Sequence, residues 1–344
     1  MKDRPLAPAR IVTPLVAWYA RTARDLPWRR PPDRSAHRPY RVWVSEIMLQ
    51  QTQVERVKEY FARFIARFPD VEALARARER EVLRLWEGLG YYRRARQLHA
   101  AARVIVAEHG GEFPRTVAGL MALPGIGRYT AGAIASIAFD VPAPIVEANS
   151  RRVLARLVGY DRPTGGTAGD GPIWEIAERL VPRRAPGRFN QALMDLGAIL
   201  CTPTRPRCSA CPLAGVCVAR RTGRTETIPV AAARTATKRL TETALVLRRR
   251  RGEVLVEKRG AGEWWEGLWD FPRLDGKRLP GDRRLGVVTY TVTHHQVRCT
   301  VVERVVTGRP PRAAAGRRWL APARLAALPL AAPARRVAAL LGAP

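Results

Sequence analysis

The chain has 344 residues, 47% of them hydrophobic, which is enough for two to three folded domains and excludes a disordered tail. It carries 60 Lys and Arg against 30 Asp and Glu, a formal charge of +30, so a polyanionic partner, above all nucleic acid, is expected. No uncharged apolar run of about 18 residues occurs, the first ten residues lack a signal-like stretch, and five cysteines are too few for a disulfide scaffold. A soluble, cytoplasmic protein with no membrane partner is therefore expected. Only five of the basic residues are lysine. With abundant Ala, Gly and Pro, the arginine excess is also what a GC-rich genome would produce.

Residues 11–25 predict a helix with Leu15, Trp18 and Tyr19 on one face. The stretch 27–39 is rich in Pro, Arg and Asp and reads as a loop. From Tyr40 the apolar spacing of Ile47, Val54, Val57, Phe61, Phe64 and Ile65 is again helical. Further helices are predicted at 70–76, 79–88, 91–109, 116–122, 128–138, 149–158, 171–181 and 187–200. Composition shifts after residue 200: positions 201–250 hold eleven basic and two acidic side chains. The stretch 229–239 reads as a linker. Short β-branched runs at 243–247, 254–258, 287–292 and 297–306 predict strands, and 331–341 a closing helix. The fold class is mainly α. A helical module over 1–228 precedes a small α/β domain over 240–344.

Cys201, Cys208, Cys211 and Cys217 fall within 17 residues, spaced C-x6-C-x2-C-x5-C. Four thiols this close predict a metal site. A structural zinc site pairs two short knuckles; a single C-x2-C with two unequal arms favours a cubane iron–sulfur cluster. Arg205, Arg207, Arg220 and Arg221 flank it and suit phosphate contact. Cys299, on a predicted strand, reads as a packed core thiol. Gly125 and Gly127 lie in Leu123-Pro124-Gly125-Ile126-Gly127, between two predicted helices. Two glycines one residue apart permit tight, positive-φ backbone, with amides aimed at a phosphate from a helix N-terminus. Followed by Arg128-Tyr129-Thr130, the string is a helix-hairpin-helix candidate that binds DNA backbone without reading sequence.

These motifs, with Trp43-Val44-Ser45-Glu46-Ile47-Met48-Leu49-Gln50-Gln51-Thr52-Gln53, resemble the adenine DNA glycosylase (MutY-type) branch of the endonuclease III superfamily. Leu26-Pro27-Trp28-Arg29, Trp86-Glu87-Gly88-Leu89-Gly90-Tyr91-Tyr92 and Phe189-Asn190-Gln191-Ala192-Leu193-Met194-Asp195-Leu196-Gly197 carry the same resemblance, from about residue 11 to 228. It implies a two-part helical module with a [4Fe-4S] loop. The implied substrate is double-stranded DNA with adenine mispaired with 8-oxoguanine or guanine, and the implied product an abasic site. Cleaving a purine N-glycosidic bond requires a proton on the base and a negative charge near C1′. The resemblance assigns the acid to Glu46, whose apolar neighbours would raise its pKa. It assigns the second carboxylate to Glu147, with Asn149 beside it.

Here the chain departs from the family's Asp-Gly-Asn: it reads Glu147-Ala148-Asn149. A displacement of about 1 Å in a catalytic group costs roughly 100-fold, so backbone compensation is expected. A helix-cap role for Glu147 and Asn149 is the plain alternative. Strand-cutting relatives carry a Schiff-base lysine where this chain has Tyr129. No lysine occurs between Lys58 and Lys238, so a monofunctional glycosylase is expected, with Tyr129 assisting at the sugar. Base flipping needs a wedge; the resemblance assigns it to Gln51 and Tyr91, beside Gln50. Trp28, Arg29 and Gln191 would line the adenine pocket.

The C-terminal domain resembles the family's Nudix-like reader of oxidised guanine, with Thr293-His294 as the reading pair and Tyr290 where a histidine is usual. Only sixteen residues separate Pro272 from Thr289, so an element usual in that fold is shortened, and weaker discrimination for 8-oxoguanine follows. The absence of a glutamate-rich Nudix box argues against pyrophosphate hydrolysis. Competing functions are a pyrimidine-lesion glycosylase of the endonuclease III type and a catalytically weak, cluster-bearing DNA-binding protein. A monomer is expected.

Overall fold

A computed structural model of the chain describes residues 7–30, 38–231, 236–274, 281–306 and 316–342. Helices run in the order α1 (Ala9–Thr22), α2 (Arg38–Leu49), α3 (Val54–Arg67), α4 (Val71–Arg76), α5 (Glu79–Trp86), α6 (Arg93–His109), α7 (Val117–Met121), α8 (Arg128–Phe139) and α9 (Ala148–Val158). Strand β1 (Pro163–Thr164), α10 (Gly166–Leu180), α11 (Pro186–Ile199), α12 (Val218–Arg221) and β2 (Val230–Ala231) follow. Then come β3 (Lys238–Arg248), β4 (Val254–Lys258), β5 (Trp269–Asp270), β6 (Arg283–Val292), β7 (His295–Val305), β8 (Arg317–Leu320) and α13 (Ala332–Ala339). Among the described residues no helix is long and apolar enough to cross a membrane.

The chain divides into two compact units, Met1–Ala77 with Arg96–Arg234, and Arg78–Ala95 with Thr235–Pro344. The difference from a purely sequential division is the α5 segment, which groups with the second unit. Its Glu87 pairs with Arg335 of α13, and Arg78, Leu83 and Arg84 line one cleft with Trp269 and Leu328. The linker expected at 229–239 is also partly structured. Val230–Ala231 pair in parallel with Pro163–Thr164, and β3 already begins at Lys238. Positions 232–235 lie outside the described residues.

In the first unit α2 is central. Every residue from Tyr40 to Met48 except Arg41 is buried, so this helix is enclosed on nearly all sides, packing on α8 and α3. The helical pattern read through 40–65 breaks at residues 50–53. Gln51 takes a left-handed φ of 55° there, a turn with neither Gly nor Pro to announce it. Helix α11 packs against α1, α8 and α9. Its core includes Leu15, Trp18, Leu154, Ile173, Phe189 and Leu193.

The second unit holds a mixed six-stranded sheet in the order β5-β4-β3-β7-β6, with β8 also pairing β4. Strands β3 and β7 are parallel along their whole length, while β6 and β7 form an antiparallel hairpin. Cys299 on β7 is buried in this unit's core, as expected. Of the segment between Pro272 and Thr289 where a shortened element is expected, 275–280 lie outside the described residues and 283–288 already belong to β6.

Candidate active site

Glu46 sits on the enclosed face of α2 and is 5% exposed. Tyr129, in the first turn of α8, donates its hydroxyl to Glu46 Oε2 at 2.5 Å. Burial pushes the Glu46 carboxyl up. The Tyr129 bond and the charge of Arg29 pull it down, and the charge of Glu147 pushes it up again, for a net value of about 7. Such a group is protonated or poised near neutrality, as a general acid requires. Burial, then the Glu46 and Glu147 charges, raise the Tyr129 phenol well above its ordinary range, so it stays a neutral donor.

Glu147 is the N-cap of α9. Its two carboxylate oxygens accept the backbone N–H groups of Asn149 and Ser150 at 2.8 Å each, and Ser150 Oγ returns a bond from the Glu147 N–H. This capping box fastens the carboxylate at the positive end of a helix. The structure thus shows the cap expected as the plain alternative, on the same carboxylate that the resemblance assigns to the sugar. Asn149 accepts from Arg152 through Oδ1 at 2.9 Å.

A small pocket beside Glu46 is lined by Arg24, Leu26, Trp28, Arg29, Ser45, Leu49 and Gln191. Trp28, Arg29 and Gln191 are thus brought together as expected. Trp28 lies edge-on to Phe61 with ring centroids 5.5 Å apart, and Gln191 donates Nε2 to the Gly187 carbonyl at 3.2 Å. Gln50 donates to Thr130 Oγ1 at 3.4 Å. Sequence reasoning missed Arg24 and Asp195, which complete this pocket's ion pairs. Asp195 stood inside a quoted motif, but nothing in the motif marked it as buried and paired.

The hairpin needs one correction. Gly125 has φ +76°, but Gly127 has φ −90° and caps α8 in extended backbone. A Cβ there would meet nothing within 4 Å, so neither the backbone nor the packing of this chain requires glycine at 127. Gln51, Tyr91 and Thr293 are three of seven non-glycine residues with positive φ among those described. Such backbone costs of order 1 kcal/mol or more and collects at functional positions. Tyr91 is also 53% exposed, unusual for its size.

Cys201, Cys208, Cys211 and Cys217 line one cavity with Arg156, Leu200 and Pro206. Arg156 Nη1 donates to Cys201 Sγ at 3.3 Å, and its remaining donors bind the carbonyls of Thr202, Pro203 and Ile228. Arg152 Nε holds the Cys201 carbonyl at 2.7 Å. These two arginines of α9 were not singled out in the sequence. They tie the cysteine loop to the helix that Glu147 caps. Burial pushes the Cys211 thiol up to about 11, and the three neighbouring thiols add to it. As thiolates, four cysteines sharing one cavity could ligate a metal centre, and the buried Arg156 guanidinium beside Cys201 would offset part of their negative charge. Among the described residues no group of three or more His, Cys, Asp or Glu side chains is arranged for a metal ion.

In the second unit Thr293 and His294 form the β6–β7 turn. Thr293 Oγ1 lies 3.2 Å from His295 Nδ1, and the two histidine rings are 4.0 Å apart. Tyr290 donates its hydroxyl to Glu242 at 2.7 Å.

Helices, hairpin and buried acid define a helix-hairpin-helix protein. Residues 44–168 match the model of the HhH-GPD superfamily of base excision DNA repair proteins, and 243–340 match the NUDIX domain. The chain belongs to the adenine DNA glycosylase family. It is 36% identical over 264 residues to the adenine DNA glycosylase of Buchnera aphidicola (Schizaphis graminum strain), covering 76% of this chain and 74% of that protein. It is 40% identical to the rat adenine DNA glycosylase over 305 residues, 86% of this chain and 55% of that one. Against the mouse protein it is 49% identical over 207 residues, 59% of this chain and 40% of that one. The chain thus spans about half the length of these mammalian relatives or less. A thermostable thymine-DNA glycosylase superposes with TM-score 0.54 at 30% identity, covering 62% of this chain and 97% of that one. An endonuclease III–DNA complex gives 0.51 at 22% identity over 62% of this chain and 94% of that one, a likeness of fold.

Proposed function

We propose that this chain is a monofunctional DNA glycosylase that hydrolyses adenine from mispairs with 8-oxoguanine or guanine in duplex DNA. The observation that carries the reading is the buried Glu46 with its Tyr129 bond, a carboxyl held near neutrality inside a pocket. Glu46 gives its proton to adenine N7, and the base leaves neutral. Positive charge grows at C1′ as the glycosidic bond breaks. Glu147, anchored at its helix end, stabilises that charge, and water adds at C1′ to leave the abasic site. Trp28, Arg29 and Gln191 receive the flipped base; Gln51 and Tyr91, on their strained backbone, fill the gap in the stack. Thr293 and His294 read the opposite base.

Cys201, Cys208, Cys211 and Cys217 would hold a [4Fe-4S] cluster, which when bound pins the 201–217 loop and adds no step to a hydrolysis. Iron and sulfide analysis of the purified chain tests this: four of each supports it, and stoichiometric zinc overturns it. The chain works as a monomer in the cytoplasm, with the DNA.

Single-turnover assays on a duplex with adenine opposite 8-oxoguanine test the activity. Wild type should release adenine and leave the strand uncut until alkali is added. Release of an oxidised pyrimidine instead, or efficient borohydride trapping of a covalent adduct, would overturn the reading.

A further inference from the structure

Asp195 has no role in the chemistry above. It lies on α11, one turn after Gln191, and its side chain is wholly buried. Two arginines converge on this one carboxylate. Arg24 donates its backbone N at 3.2 Å and Nε at 2.6 Å, with Nη2 also 2.6 Å away. Arg29 donates Nη1 at 2.7 Å and Nη2 at 3.1 Å. Both arginines line the pocket that Glu46 lines.

A guanidinium does not shed its proton. Left untethered beside a carboxyl group, it forms a two-point ion pair and stabilises the charged form. A Glu46 paired in this way would be a carboxylate with no proton to give. Two positive charges thus share a pocket with a residue that must stay protonated, and the charge of Arg29 already acts on it.

We propose that Asp195 is a positioning residue that holds the Arg24 and Arg29 guanidinium groups away from Glu46, so that Glu46 keeps its proton for the purine. The proposal rests on Glu46 being the general acid. The charged and titratable groups facing Glu46 are Tyr129 from α8, Glu147 at the cap of α9 and Arg29 from the loop after α1. Those around Arg29 are Asp195, Tyr19 and Glu46. Asp195 is the carboxylate to which both guanidiniums are bonded.

The test is the pH dependence of single-turnover adenine release, measured from about pH 5 to 9, with unfolding curves to verify each fold. A protonated acid makes the rate fall as pH rises through the Glu46 pKa. In Asp195→Asn a freed arginine pairs with Glu46 and lowers that pKa. The basic limb should move down by about one pH unit, a roughly tenfold loss above neutrality, with the acid-side plateau retained. Adding Arg29→Gln to Asp195→Asn should return the limb toward its original pH. A folded Asp195→Asn variant that loses rate equally at every pH, or a double variant that does not recover, overturns the proposal. If Asp195→Asn does not fold, the variant with Arg24→Gln, Arg29→Gln and Asp195→Asn together carries the test. With nothing left to tether, its limb should lie at or above the wild-type pH; a lower limb overturns the idea. Failure of the underlying reading shows separately, as wild-type rates in Glu46→Gln.

Discussion

Glu46 is buried in an apolar helix and its carboxyl is raised to about 7. Its ordinary value is 4.5, so the folded state holds a proton that the unfolded state releases. The resulting stability is fully present below about pH 4.5 and is lost as pH rises to about 7. Glu46→Gln should therefore unfold much like wild type at pH 5. At pH 8 it should be more stable by on the order of 1–3 kcal/mol, measured by urea denaturation. The same substitution should reduce adenine release by roughly 100-fold or more. A gain in stability with a loss in rate would mark a residue kept for chemistry. The Tyr129 hydroxyl acts in the opposite sense to burial, since its bond favours the carboxylate. Tyr129→Phe should raise the Glu46 pKa further and move the basic limb of the rate profile upward, the reverse of the shift expected for Asp195→Asn.

At the scale of elements, the first turn of α9 joins an observed cap to the charge proposed to act at the sugar. Glu147 caps the helix through both oxygens, and its charge acts on Glu46 of α2. Loss of a cap costs about 1 kcal/mol. Glu147→Ala should lose that stability and adenine release together. Glu147→Gln retains one acceptor and should lose release with a smaller change in melting temperature. Comparing the two by thermal unfolding and single-turnover rates separates cap from charge. The loop that delivers Glu147 is set by α8. A Cβ at Gly132 would collide with the Pro144 carbonyl, three residues before the carboxylate. Gly132→Ala should cost about 1–3 kcal/mol. By shifting Glu147 about 1 Å, it should also slow release roughly 100-fold. Rates near wild type in a folded Gly132→Ala protein would show that the loop relaxes elsewhere. The Ala148 departure is tolerable locally, since Ala148 is exposed and helical at the start of α9.

For the whole molecule the governing quantity is a charge of +30. Binding to a duplex should weaken steeply with salt, by roughly 1000-fold between about 50 and 200 mM if six or more phosphates are contacted. Gel-shift titrations at several salt concentrations, plotted as log K against log salt, check it. A flat line would leave the arginine excess as composition alone. Not all that charge is available to a partner. Arg24 and Arg29 serve Asp195, Arg152 and Arg156 serve the cysteine loop, and Arg248 and Arg283 serve Glu303.

Several parts of this protein could be read before any fold was known. Helical spacing predicted the helices of the first two-thirds, because period and burial go together along an amphipathic helix. Cysteine spacing, the glycine pair and the glutamate strings pointed to a site, because short motifs keep their chemistry in a contiguous stretch. The turn at 50–53 was not legible, because it is imposed by packing on a chain without Gly or Pro. The pairing of Val230–Ala231 with Pro163–Thr164 was not legible either, because a two-residue strand has no periodicity to detect. The Asp195 tether joins residues 171 positions apart, and no local pattern reports such a distance.

Residue types, spacing and local period were therefore determined by the sequence alone: which side chains could be acid, cap, wedge or thiol ligand. The tertiary structure decided which of them are brought together and in what environment. A pKa depends on desolvation and on the charges nearby, and both arise only when α2 is enclosed, Tyr129 and Glu147 are brought to it, and two arginines are held aside.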